Sequence, residues 1–171
     1  MQTFLPFESF AETAAVLDQR RLGKQRVAVL QILRALTRDG YGWRSHPAVL
    51  MWKGHEEALG AYGRAIVDAW TALGFDDTTW DSISVELTEL GITAVRGQDE
   101  LGAVGKLPPW LGDPALHDTH RAALLRKDPD HYRSLFPQTP DDLPYHWPVR
   151  SAKAIEAEAR RARAAPRRAS R

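Results

Sequence analysis

Apolar residues recur along this chain at helical rather than strand spacing. Leu22, Val29, Leu33 and Leu36 fall three, four or seven apart, the signature of one buried helix face. The pattern predicts a helix from about Ser9 or Phe10, bent or broken near Gly23, running through Leu36 to a stop at Asp39-Gly40. A second helix is expected from about Pro47 to Leu73, with Ser45 as its cap and Gly74 as its end. Gly54, Ala58, Ala61 and Ala65 form a small-residue stripe on it, flanked by Gly60 and Gly63. Such a stripe costs helix propensity and lets another backbone come close. Trp52, Tyr62 and Trp70 supply apolar bulk elsewhere on the same helix.

Residues 75–113 are the least regular stretch, with a short helix expected to start at Asp76 or Asp77 and a long loop after it. Asp113-Pro114 reads as the cap and first position of a third helix, PALHDTHRAALLRK, which Asp128-Pro129 ends while opening a shorter helical turn. The prolines of DDLPYHWPV favour an extended strap over the bundle, anchored by Tyr145 and Trp147. Strand-like alternation is scarce, so the expected fold class is all-α. Residues 1–148 form the helical domain, and 149–171 form a basic, flexible tail with no apolar face to bury.

Composition narrows the function. The 171 residues are 43% hydrophobic and 26% charged, which fits one soluble globular domain with a tail. With no cysteine, disulfides, a thiol nucleophile, iron–sulfur clusters and thiolate zinc sites are excluded. No basic leader with an apolar run opens the chain and no stretch reaches a membrane span, so a cytoplasmic protein without membrane contact is expected. Residues 1–148 carry 15 Lys and Arg against 20 Asp and Glu, and residues 149–171 carry 8 against 2. Nucleic-acid binding therefore has to come from local clusters, of which there are two: the tail, and the segment from Asp18 to Asp39.

In that segment Arg20, Arg21, Lys24, Arg26, Arg34 and Arg38 face one acid at each end. A solvated helix face would accommodate these charges as readily as a binding surface. Like charges four apart repel, however, and no acid between Gly23 and Arg38 relieves them, which favours a functional reading.

Phosphate loops, dinucleotide fingerprints and nucleophile elbows are absent. His117 and His120 share a helix face, but no companion ligand stands at a recognised spacing, so no metal site is assigned. His55-Glu56-Glu57 lacks the second histidine of a zinc-protease helix. Serine, threonine, lysine and the terminal α-amine remain as nucleophiles. The amine has a reference pKa of roughly 7.7 to 8.0 and so keeps a substantial neutral fraction near pH 7, whereas an exposed lysine has almost none.

Several segments, in order, resemble the pyrimidine-dimer DNA glycosylases, the endonuclease V family first described from bacteriophage. They are LDQRRLGKQR on the first helix, HPAVLMWKGHEEALGAYG at the second, GFDDTTWDSIS after it, and LHDTHRAALLRKDPDHY with the closing aromatic strap. The chain looks most like a bacterial branch beginning MQTFLP and carrying LGKQR and PPWLGDP. The resemblance implies a compact bundle of three main helices with the amino-terminal segment threaded between the first two. It also implies a monomer that binds double-stranded DNA containing a damaged or abasic nucleotide, and N-glycosylase and abasic-site lyase chemistry without a cofactor. The α-amine of Met1 would attack the anomeric carbon, form an imine and cut the strand by β-elimination; Gln2 would supply the amine if the initiator were removed. Arg20, Arg21, Lys24 and Arg26, with Lys53 and His55, would contact DNA, as would His120, Arg121, Arg126 and Lys127 on the third helix. The family's first-helix glutamate, which stabilises the imine and manages protons, would fall around Gln25 to Ala28. Bacterial relatives have it at the position of Ala28. Asp18 is the nearest acid on the same helix, and Glu56 or Glu57 could approach from the second. The missing carboxylate leaves a second reading open, a catalytically weakened nucleic-acid-binding protein on the same fold.

Overall fold

The computed structural model describes residues 2–152, 155–157 and 160, and among them every regular element is helical. Helix α1 (Phe10–Val16) starts where the Ser9 hydroxyl accepts the Glu12 N–H, and α2 (Gln19–Thr37) starts where Asp18 accepts that of Arg21. Each cap satisfies a first-turn donor that the helix itself leaves open. The expected break near Gly23 therefore lies at Leu17-Asp18 instead. Gly23 stays inside α2, where a Cβ would stand 3.2 Å from the Trp70 ring; the glycine makes room for a side chain and does not bend the chain.

The second expected helix is two, α3 (Pro47–Leu50) and α4 (Glu56–Ala72). Gly54 separates them at φ 84°, a left-handed conformation that suits glycine and ends a helix. The cap of α3 is His46, whose Nδ1 accepts the Ala48 N–H, rather than Ser45. Gly54 has open space around it, so the close approach belongs to Gly60 and Gly63. A Cβ on Gly60 would lie 2.9 Å from Leu87 Cδ1, and one on Gly63 would lie 2.9 Å from Val29 Cγ1. These glycines let α4 pack against α5 (Thr79–Glu89) and α2 at once. Helix α5 begins two or three residues beyond the expected start. Part of the expected loop is α6 (Gln98–Ala103). Helix α7 (Pro114–Lys127) has the predicted bounds and α8 (Pro129–Tyr132) opens where expected, with Asp113 and Asp128 as caps, but α8 ends at Tyr132, short of the turn DHYRSLF expected to run to Phe136.

Helices α2, α4 and α5 pack on one another, α1 covers α4, and α8 packs against α7. The closing strap lies on α7: Arg126 donates to the carbonyls of Asp141 and Leu143, and the His146 N–H donates to Thr119. Tyr145 and Trp147 stack at 5.5 Å between ring centroids. Of the basic tail, residues 149–152, 155–157 and 160 are described. The expectation that it is flexible rests on residues that lie outside the described ones.

The repulsion read from the α2 sequence is relieved by acids from other elements. Glu86 on α5 is buried and accepts from Arg34 Nε (3.1 Å), Thr37 Oγ1 (2.8 Å) and Arg38. Burial pushes its carboxyl up, but Arg38, Thr37 and Arg34 outweigh that and hold it below the usual range. A carboxylate depressed in the folded state adds stability above its unfolded pKa and loses it as pH falls through the folded value. Acid unfolding should therefore carry a Glu86 component below about pH 4.5. Glu86→Gln should cost about 1–3 kcal/mol at pH 7 and flatten that acid slope. Denaturant unfolding at pH 3 to 7 checks it, and parallel stability curves for the two proteins would count against the assignment.

Candidate functional site

An open cleft of about 530 Å³ lies between the amino-terminal segment, the first half of α2 and the end of α7. Arg20, Lys24, Ala28 and Gln31 line it at helical spacing, joined by Gln2, Phe4, Gln25 and Lys127. Arg20, Lys24 and Lys127 are exposed, and the residues lining the cleft include no acid. Its positive potential thus meets no internal counter-charge, which suits an anionic ligand. Ala28, nearly buried, sits among these groups one turn beyond Gln25 and Lys24.

The segment leading into the cleft is fixed by side chains from α2, α4 and α7 and from the turn after α3. Thr3 accepts the Trp52 indole N–H at 2.9 Å. The Phe4 N–H donates to Gln25 Oε1 at 2.9 Å, and the Tyr62 hydroxyl contacts both the Phe4 carbonyl (2.9 Å) and Gln25 Oε1 (2.8 Å). Leu5 is held at both main-chain groups: its N–H donates to His120 Nδ1, and its carbonyl accepts from His117 Nδ1, each at 2.8 Å. The two imidazoles are therefore opposite tautomers. His117 confirms its own by accepting the Gly112 N–H at Nε2. Arg121 donates to the Pro6 carbonyl. An extended segment has no hydrogen bonds of its own, so these partners satisfy the main-chain groups of Phe4 and Leu5 and the Pro6 carbonyl.

These placements redistribute the expected site residues. Gln25 is a buried holder of the amino-terminal segment. His120 is fully buried, and desolvation drives its pKa down to about 3, so it is neutral and meets no phosphate. Together with His117 it clamps Leu5, which also accounts for the histidine pair without a metal. Arg121 is committed to Pro6 and Asp118. Arg126 is committed to the strap. Arg26 pairs with Asp77 and lies over Trp70 at 3.9 Å from the ring centroid. Arg21 touches the cleft while bonding Asp128 and the Lys127 carbonyl.

Asp18 accepts from Tyr132 at 2.5 Å and caps α2. Burial raises its carboxyl, and the bonds from Tyr132 and Arg21 more than reverse that; it does not line the cleft. Glu56 accepts the Gly54 N–H, and Glu57 binds Arg96 through both oxygens. Neither lines the cleft. Exposed Lys53 and half-buried His55 stand before α4 and do not line the cleft. Met1 lies outside the described residues. Sequence reasoning missed Tyr62 and His117 as parts of the anchor, because only the fold brings residues 58 and 112 positions away against Phe4 and Leu5.

Residues 1–82 match the family model described as pyrimidine dimer DNA glycosylase. No curated protein and no solved structure gives a significant match. Among the described residues, no helix is long and apolar enough to cross a membrane.

Proposed function

We propose, on the premise that residues 1–82 carry the pyrimidine dimer DNA glycosylase family pattern, that this protein excises damaged pyrimidines from duplex DNA and cuts the abasic strand through its terminal amine. One observation carries this reading beyond the family match. The amino-terminal segment is pinned into the core at Thr3, Phe4, Leu5 and Pro6, and Gln2 lines a cleft with unopposed cations. Holding residues 3–6 restrains the space an amine at this chain end has to search, and restricting a reactant in that way favours an oriented attack over a bimolecular one.

The amine nitrogen forms a bond to the anomeric carbon as the base departs with the glycosidic electron pair; the nitrogen then loses a proton, its lone pair expels O4′ from C1′, and O4′ takes up a proton as the sugar ring opens to the imine. Removal of a C2′ proton then expels the 3′ phosphate and breaks the strand. Arg20, Lys24 and Lys127 hold flanking phosphates, and the damaged nucleotide leaves the helix to reach the cleft.

Ala28 favours a second reading, a binding protein with weakened chemistry, because the cleft supplies no carboxylate for proton transfer. Borohydride trapping on duplexes carrying an abasic site or a thymine dimer, with mass spectrometry of the cross-linked peptide, separates the two. An adduct at the terminal amine is expected. Salt-sensitive binding without an adduct would leave only the binding function.

A further inference from the structure

We propose that Trp43 is a base-stacking platform joined to the cleft wall by a ladder of ring contacts, receiving a nucleobase exposed when the bound duplex is opened; this rests on the DNA-binding reading above. Trp43 is the most exposed large apolar side chain among the described residues, 61% accessible. It is also the one described non-glycine residue at positive φ, 74°. A bulky residue in the left-handed region is strained, and strain of this kind is retained where the surrounding structure has a use for the conformation. The loop that holds it is a tight turn: Gly40 stands at φ 73°, and the His46 N–H donates to the Trp43 carbonyl at 2.8 Å. The fold thus accepts strain in order to point a tryptophan into water.

The ring is linked to the cleft. Trp43 meets His46 edge-on at 5.5 Å, His46 meets Trp147 at 5.8 Å, and Trp147 stacks on Tyr145 at 5.5 Å. Tyr145 contacts His120 at 5.7 Å, and His120 contacts Phe4, which lines the cleft, at 6.3 Å. This ladder of rings runs from the cleft wall to the surface and ends in an indole whose outer part is uncovered.

The occupant follows from the surroundings. Gly42, Arg44 and Ser45 beside Trp43 are all exposed, so the indole is isolated and not the centre of the contiguous apolar patch that a protein partner buries. An uncovered aromatic face linked through ring contacts to a cleft that holds unopposed cations fits a strand whose bases stack while its phosphates are neutralised.

Trp43→Gly tests this, since it removes the ring and relieves the strained φ together. Fluorescence anisotropy would compare a duplex carrying a tetrahydrofuran abasic analogue with its undamaged counterpart over a range of salt. The variant should lose about tenfold in affinity for the lesion duplex. Its affinity for undamaged DNA, and the slope of log Kd against log salt, should match wild type, because phosphate contacts are untouched. Its Tm should be equal or higher, and Trp43→Phe should retain most of the lesion preference. Unchanged lesion affinity in Trp43→Gly would overturn the proposal, as would a drop in Tm that accounts for the loss. Dissociation of a wild-type oligomer with DNA affinity intact would assign the indole to a second copy of the chain and overturn it equally. Failure of the DNA-binding reading itself is distinguishable, because the wild-type protein would then show no salt-dependent binding to either duplex.

Discussion

Ala28→Glu is expected to raise the rate of abasic-strand cleavage by on the order of 10²-fold or more, the usual contribution of a positioned general acid or base. Ala28 lines the cleft one turn from Gln25, whose side chain holds Phe4, and beside Lys24. A carboxylate there faces the segment that carries the amine, with cations near enough to keep it ionised. It would take the C2′ proton and stabilise the positive charge of the iminium. Asp18, Glu56 and Glu57 are engaged elsewhere, by Tyr132, the Gly54 N–H and Arg96 respectively, and none of the three lines the cleft. Single-turnover cleavage of an abasic duplex, with the borohydride adduct quantified in parallel, reads the effect. Equal rates for Ala28→Glu and wild type, with the fold intact, would remove position 28 from the chemistry.

Gln25→Met should impair chemistry without comparably impairing DNA binding. Gln25 Oε1 accepts the Phe4 N–H and contacts the Tyr62 hydroxyl. Tyr62 has one hydroxyl proton and keeps the Phe4 carbonyl as its acceptor when Gln25 is lost. The group left unpaired is the buried Phe4 N–H, at a cost of about 1–3 kcal/mol. Methionine fills similar space, so the cavity term is small. Loosening the segment by even an ångström is expected to lower the imine-forming rate by about 10²-fold, while Arg20, Lys24 and Lys127 still meet the phosphates. Denaturant unfolding measures the first effect, and trapping yield against Kd measures the second. Equal losses in binding and trapping would show that the cleft as a whole had collapsed.

These two residues also show where reading the sequence succeeds and where it stops. Ala28 was identifiable as a departure only through the family resemblance, which implies a glutamate at that position; the structure then places it in the cleft with Lys24 and Gln31. Gln25 was placed in the right neighbourhood with the wrong task. Its partner is a main-chain N–H 21 positions away, and no local spacing encodes that contact. The basic character of α2 was read correctly as unrelieved within the helix, yet Arg34 and Arg38 are answered by Glu86 and Arg26 by Asp77. Their charges therefore hold helices together, and only Arg20 and Lys24 are left on α2 without an acid partner among the described residues.

What the sequence by itself determined were features whose cause lies within a few residues. Helical periodicity gave the all-α class, Asp113-Pro114 and Asp128-Pro129 gave the bounds of α7 and the start of α8, and the absence of cysteine removed thiol chemistry. Tertiary structure decided which charges are free, which histidines are clamps and which glycines admit a neighbour. Ion pairs, hydrogen bonds and close approaches join groups that are 21 to 115 residues apart in the chain, and burial alone turns His120 from a basic contact into a neutral acceptor.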